Sequence, residues 1–194
     1  MKVVGIDLAG VETRQTGFCI LDGMKAKTLI LHSDKEIIQK IEKIKPGIIA
    51  IDAPLSLPKG RKTIDERTDV HLRECDKELL RRRIKFFPIT LGPMRLLTKR
   101  GIELKKILKK KGFLVIEAYP GGAQDIWKIP RKQKGLEKLR KGLEKLGIKG
   151  LRKDMSDHEL DAVTCALVGK YFLEGRCEVL GTLDDGIVMP IKND

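Results

Sequence analysis

The chain has 194 residues, a mass of 21.9 kDa and a formal net charge of +13, with a pI near 9.6. That length suits a single domain spanning 1–194 with its own core, and the charge predicts an anionic partner, nucleic acid ahead of an anionic membrane surface. No apolar run reaches membrane-spanning length and no signal-peptide layout precedes the first strand, so the expectation is a cytoplasmic protein with no membrane partner.

Aromatic residues make up only 4%, so aliphatic side chains must supply the core. Cys19, Cys75, Cys165 and Cys177 are scattered with no C-x-x-C pair, which argues against a structural zinc site. Cys19 and Cys165 read as small core residues.

Val3, Val4 and Ile6 form a short β-branched run that ends in Asp7 and reads as a buried strand. Gly17–Leu21 and Thr28–Leu31 read as two further strands, with Asp22-Gly23 as the turn between them. Connections this short force an antiparallel meander. Ser33 and Glu36 form a capping box that opens a helix, and Pro46-Gly47 stops it.

Ile48–Ile51 repeats the buried-strand pattern and ends in Asp52, after which Ala53-Pro54 turns the chain. The segment 55–70 reads as a long exposed loop whose length favours a functional role. A helix is expected over about 71–84 and a second basic helix over about 94–111. Phe113–Ile116 is a third apolar run, ending in Glu117.

Between Lys128 and Lys153 there are eleven Lys and Arg against two Glu, and Gly-Leu-Glu-Lys-Leu occurs twice, seven residues apart. The spacing predicts one amphipathic helix with leucines on one face and lysines on the other. A last helix starts at Ser156, capped by Glu159, and places Asp157 and Asp161 on one face about 6 Å apart along its axis. Val179-Leu180 and Ile187–Met189 predict a terminal hairpin around Asp184-Asp185-Gly186.

The expected fold is therefore α/β: a three-stranded antiparallel meander continued by parallel strands, helices on both faces and a C-terminal β-hairpin. If the three apolar strands are parallel neighbours, Asp7, Asp52 and Glu117 emerge on one edge, and the last helix lays Asp161, with Asp157, across it. Clustered carboxylates need a cation among them, and an all-oxygen set favours Mg²⁺ or Mn²⁺. Such ions hydrolyse phosphodiesters, while a basic surface grips the backbone of DNA or RNA. Lys59, Arg61, Arg73, Arg82 and Lys132 are the expected nucleic-acid contacts. Asp157 reads more readily as a first-turn aspartate favoured by the helix dipole, and His158 as a surface or capping residue rather than a general base. Tyr119 and Trp127 are open to either base stacking or core packing.

Six stretches carry a family resemblance: Gly5–Ala9, Ile51–Pro58, Arg73–Asp76, Glu117–Pro120, Glu159–Ala162 and Asp185–Pro190. On these the chain resembles domain-of-unknown-function family 429, predicted nucleases of RNase H-like fold. The resemblance implies that Asp7, Asp52, Glu117 and Asp161 hold divalent metal in a nuclease-like site. Two other functions are compatible with the pattern. One is a non-catalytic nucleic-acid binder whose acids are structural. The other is an actin-like or sugar-kinase-type nucleotide-binding domain, since Gly5–Gly10 is similar to the first phosphate loop of those proteins. That second class needs two lobes, and 194 residues hold one.

Overall fold

In the computed structural model, which describes residues 1–191, seven strands form one sheet. They are β1 (Lys2–Asp7), β2 (Thr16–Asp22), β3 (Lys25–Leu31), β4 (Ile48–Asp52), β5 (Val115–Ala118), β6 (Cys177–Leu180) and β7 (Ile187–Pro190), in the order β3-β2-β1-β4-β5-β7-β6. The first three strands pair antiparallel, as their short connections require. Strands β1, β4, β5 and β7 run parallel, and β6 closes the far edge antiparallel to β7.

Side chains alternate across the sheet and so divide the core into two layers. Val3, Ile48, Ala50, Ile116 and Ala118 face α6 (Asp157–Leu173), a helix buried along most of its length. Val4, Ile6, Ile49, Ile51 and Val115 face the opposite layer, formed by α1 (Asp34–Ile44) and α3 (Gly92–Lys110). Both expected capping boxes are present, Ser33 with Glu36 and Ser156 with Glu159.

Helix α6 lies unusually close to the sheet. A Cβ at Gly5 would stand 2.1 Å from the Ala162 carbonyl oxygen, and one at Gly17 would stand 2.0 Å from that of His158. Only glycine at these two positions lets the backbones meet. The N-terminal turns of α6 are thereby brought against the end of β1.

Two expected elements differ. The helix expected over 71–84 is α2 (Glu74–Arg81), delayed because the Asp76 carboxylate accepts from the Arg73 amide and caps the start there. The single helix expected across 128–153 is a 3-10 turn (Lys132–Lys134) followed by α5 (Leu136–Lys145). Gly135 and Gly147, at φ +116° and +95°, bound α5 on either side. Pro120–Ile126 forms a further short helix, α4, with proline at its first turn.

Cys19, Cys75 and Cys165 are buried, and all four cysteines are free thiols. Trp127 packs edge-on against Tyr171. No helix among the described residues is long and apolar enough to cross a membrane.

Candidate active site at the carboxyl edge of the sheet

Asp7 and Asp52 are register partners at the ends of adjacent parallel strands, β1 and β4. Alternation places both on the α6 face, where Asp161 approaches from the helix. Their electrostatics show the convergence. Burial raises the Asp7 carboxyl above its ordinary value and a hydrogen bond with His158 opposes the rise, while the charge of Asp161 adds to it. Asp52 is pushed up further, by burial first and then by repulsion from Asp7 and Asp161. Among the described residues its carboxylate has no hydrogen-bond partner, and it is not fully covered.

Cationic and polar groups ring these acids. Lys132 Nζ lies 2.9 Å from Asp161 Oδ2 and 3.2 Å from Asp157 Oδ2. Burial disfavours this ammonium, yet Asp161 and Asp7 outweigh that penalty and raise its pKa. Gln124 Nε2 donates to Asp161 Oδ1 at 2.9 Å and so fixes the carboxylate's other oxygen. His158 Nδ1 lies 2.7 Å from Asp7 Oδ2, and that bond raises the imidazole's pKa. His158, expected at the surface or in a cap, is therefore a partner of the site. The close-approach glycines Gly5 and Gly17 are the sequence signal that could have placed it there.

Glu117 reaches the group from the other side of the sheet: its charge adds to the rise at Asp52, and it lines the same cavity as Asp52 and Asp161. Strand β5 runs on to Ala118, so Glu117 lies inside it, opposite Ile51 rather than Asp52, and projects with Val115 into the other layer. There Arg73 grips it through two bonds, Nη1 to Oε2 at 2.7 Å and Nη2 to Oε1 at 2.8 Å. The Leu55 amide donates to the same carboxylate at 2.7 Å. The three strand-end acids therefore stand at one edge of the sheet, as expected, but Asp7 and Asp52 face α6 while Glu117 faces the other layer.

The basic contacts also change. Arg73 is 4% exposed, binds Asp76 as well as Glu117, and lines the cavity beside the acids rather than the outer surface. Arg61 is 8% exposed and donates to the carbonyls of Ile64, Glu66 and Val70, clasping its own loop. Arg82 is paired with Glu78 and Glu178. Lys59 is exposed, and Lys132 stands within the acid cluster.

As the side chains stand, no three His, Cys, Asp or Glu groups among the described residues are grouped closely enough to hold a metal ion. The chemistry of the donors nevertheless fits a hard cation. Asp7, Asp52 and Asp161 supply oxygen only, and burial together with their neighbours' negative charge raises the carboxyls of Asp7 and Asp52. Glu117 is also an oxygen donor at this edge, with both its oxygens on the Arg73 guanidinium.

A sheet with an antiparallel meander, a parallel continuation, helices on both faces and acids at the ends of its central strands defines an RNase H-like α/β domain. The chain belongs to the family described as "Protein of unknown function (DUF429)", whose match covers residues 5–185. Among solved structures it is similar to RuvC of Thermus thermophilus, alone and in complex with a Holliday junction substrate. Each likeness has a TM-score of 0.51 and 14% identity, and covers 98% of this chain and 100% of the other. No curated protein matches the chain significantly.

Proposed function

We propose that this protein is a nuclease of the cytoplasm that uses Mg²⁺ or Mn²⁺ to hydrolyse phosphodiester bonds in DNA or RNA. The observation that carries the reading is the juxtaposition of Asp7 and Asp52 on neighbouring strands with Asp161 on α6, with Asp52 buried between the other two charges and without a hydrogen-bond partner among the described residues. These three would hold the ion, which when bound activates water and stabilises the leaving oxygen. His158 holds one oxygen of Asp7, and Gln124 one of Asp161. Lys132 balances the acids while no other cation is among them. Lys59 and the remaining basic excess supply contacts to the phosphate backbone.

The test is cleavage of single strands, duplexes, RNA–DNA hybrids and four-way junctions in Mg²⁺ or Mn²⁺; the junction is included because the similar Thermus protein was solved with one. The expected result is cleavage of at least one substrate, lost on chelation and reduced at least about 100-fold in Asp7→Asn, the scale of losing an electrostatic catalytic group. Equal rates for both proteins, or no cleavage of any substrate, overturn the proposal.

The bridge from Lys132 to Asp157 and Asp161 favours a second reading, a non-catalytic nucleic-acid binder whose acids are internally neutralised. That reading requires salt-sensitive binding that persists in EDTA, with no turnover.

A further inference from the structure

Beside the acid cluster is a cavity of about 260 Å³. Asp52, Asp161, Lys132, Arg73 and Glu117 are among its charged lining residues, and Phe86, Phe87 and Tyr119 line it as well. The whole chain has one tryptophan, two tyrosines and five phenylalanines, so three aromatic rings on a single cavity is a concentration. Phe86 and Tyr119 pack partly into the cluster beneath them, whereas Phe87 is 68% exposed. Arg131 sets its guanidinium 5.7 Å from the Tyr119 ring centroid, which adds a flat cationic surface to the wall.

An apolar wall alone would suit many small molecules, but the charged residues beside it restrict the choice. A phosphodiester held at Asp7, Asp52 and Asp161 carries a sugar and a base on each side, and the cavity opens beside it. The volume lies below the roughly 300–1,000 Å³ of sites for drug-sized ligands, which suits one planar heterocycle rather than a stacked pair. Aromatic rings and arginine planes are the surfaces on which unstacked bases rest. A base inside a duplex cannot enter such a cavity unless it is extruded.

We propose that this cavity receives one unstacked nucleobase next to the phosphodiester at the acid cluster, so that the preferred substrate is nucleic acid with an unpaired nucleotide. The proposal rests on the nuclease reading for the position of the phosphodiester, but base capture is measurable without cleavage.

The experiment uses oligonucleotides carrying 2-aminopurine, as a single strand and as a fully paired duplex, titrated with the full chain in EDTA and again in Ca²⁺. Binding is followed by anisotropy, and capture of the base by the fluorescence change on stacking. The expected result is at least about 10-fold tighter binding of the single strand, with a change in 2-aminopurine emission. Phe87→Ala should lose about 10-fold of that affinity, the scale of one base–aromatic stack, while keeping duplex affinity and melting temperature. Phe87→Tyr should restore binding. Equal affinity for single strand and duplex, or an undiminished affinity in Phe87→Ala, overturns the proposal. Base capture without cleavage in Mg²⁺ or Mn²⁺ supports the cavity and sinks the nuclease reading alone. Cleavage that is indifferent to Phe87→Ala and to pairing does the reverse.

Discussion

Asp52 and Glu117 lie one step apart in the register of two adjacent strands, yet the protein treats them in opposite ways. On the layer shared with α3, Glu117 has a bidentate guanidinium and a backbone amide, and Asp76 completes the coordination of Arg73. Burial disfavours the Arg73 cation, but Glu117 and Asp76 outweigh it and raise its pKa well above the ordinary value. On the α6 layer, Asp52 feels the charges of Asp7, Asp161 and Glu117 itself, and has no hydrogen-bond partner among the described residues and a carboxyl pushed well up. Both acids sit at one edge of one sheet. The satisfied one behaves as structure, and the under-compensated one as a group held ready for a ligand.

The contrast depends first on how closely α6 approaches the sheet, and Gly5 tests that. In Gly5→Ala the new Cβ meets the Ala162 carbonyl and the Ala166 amide, both backbone, so neither can swing away. The expected outcome is a loss of more than about 4 kcal/mol of stability, the range reserved for severe core clashes, read by urea unfolding. A variant within about 1 kcal/mol of wild type would mean that α6 does not lie where Asp161 needs it.

Next in size is the other layer. Arg73→Ala leaves Glu117 and Asp76 buried without a counter-charge, which costs about 3–5 kcal/mol. The double variant Arg73→Ala/Glu117→Gln should recover part of that loss, because one of the two stranded charges is gone. If Arg73→Ala melts like wild type, the Glu117 environment is not the closed ion pair described, and the difference between the layers vanishes.

What the sequence made legible follows the same division. The ends of β1 and β4 were readable because each β-branched run stops at an aspartate, and their parallel pairing followed from the connections. The edge of Glu117 is legible, but its face is not, for a physical reason. Strand β5 is buried on both sides, so its residues carry no alternation to reveal a register. Ala118 continues the strand past Glu117, and a small apolar residue there gives no sign of it. Arg73 was hidden among basic neighbours, although its spacing of three from Asp76 was a signal of a capping pair. Arg61 offered no such signal, since its partners are main-chain carbonyls of its own loop. The expected helix over 128–153 was broken by glycines whose positive φ becomes visible only in three dimensions.

The smallest expected effect is the most discriminating, and it concerns Asp52 in the metal-free protein. A carboxyl whose folded pKa is raised binds its proton more tightly in the folded state than in the unfolded one. Its contribution to stability therefore falls as pH rises from the ordinary value of 3.8 through the elevated folded value. At pH 7 in EDTA, well above the ordinary value, the raised Asp52 carboxyl is a net cost, so Asp52→Asn should melt a few degrees higher than wild type. Below about pH 3.8 the carboxyl is protonated in both states and the two melting curves should converge. Adding Mn²⁺ at pH 7 should stabilise wild type and narrow or reverse the gap, because an ion bound by the folded state raises stability by mass action, and the amide offers it less. A variant that melts lower than wild type at pH 7, with no narrowing in acid, would place Asp52 with Glu117 among the satisfied acids. The α6 face would then have no unmet charge for a ligand to answer.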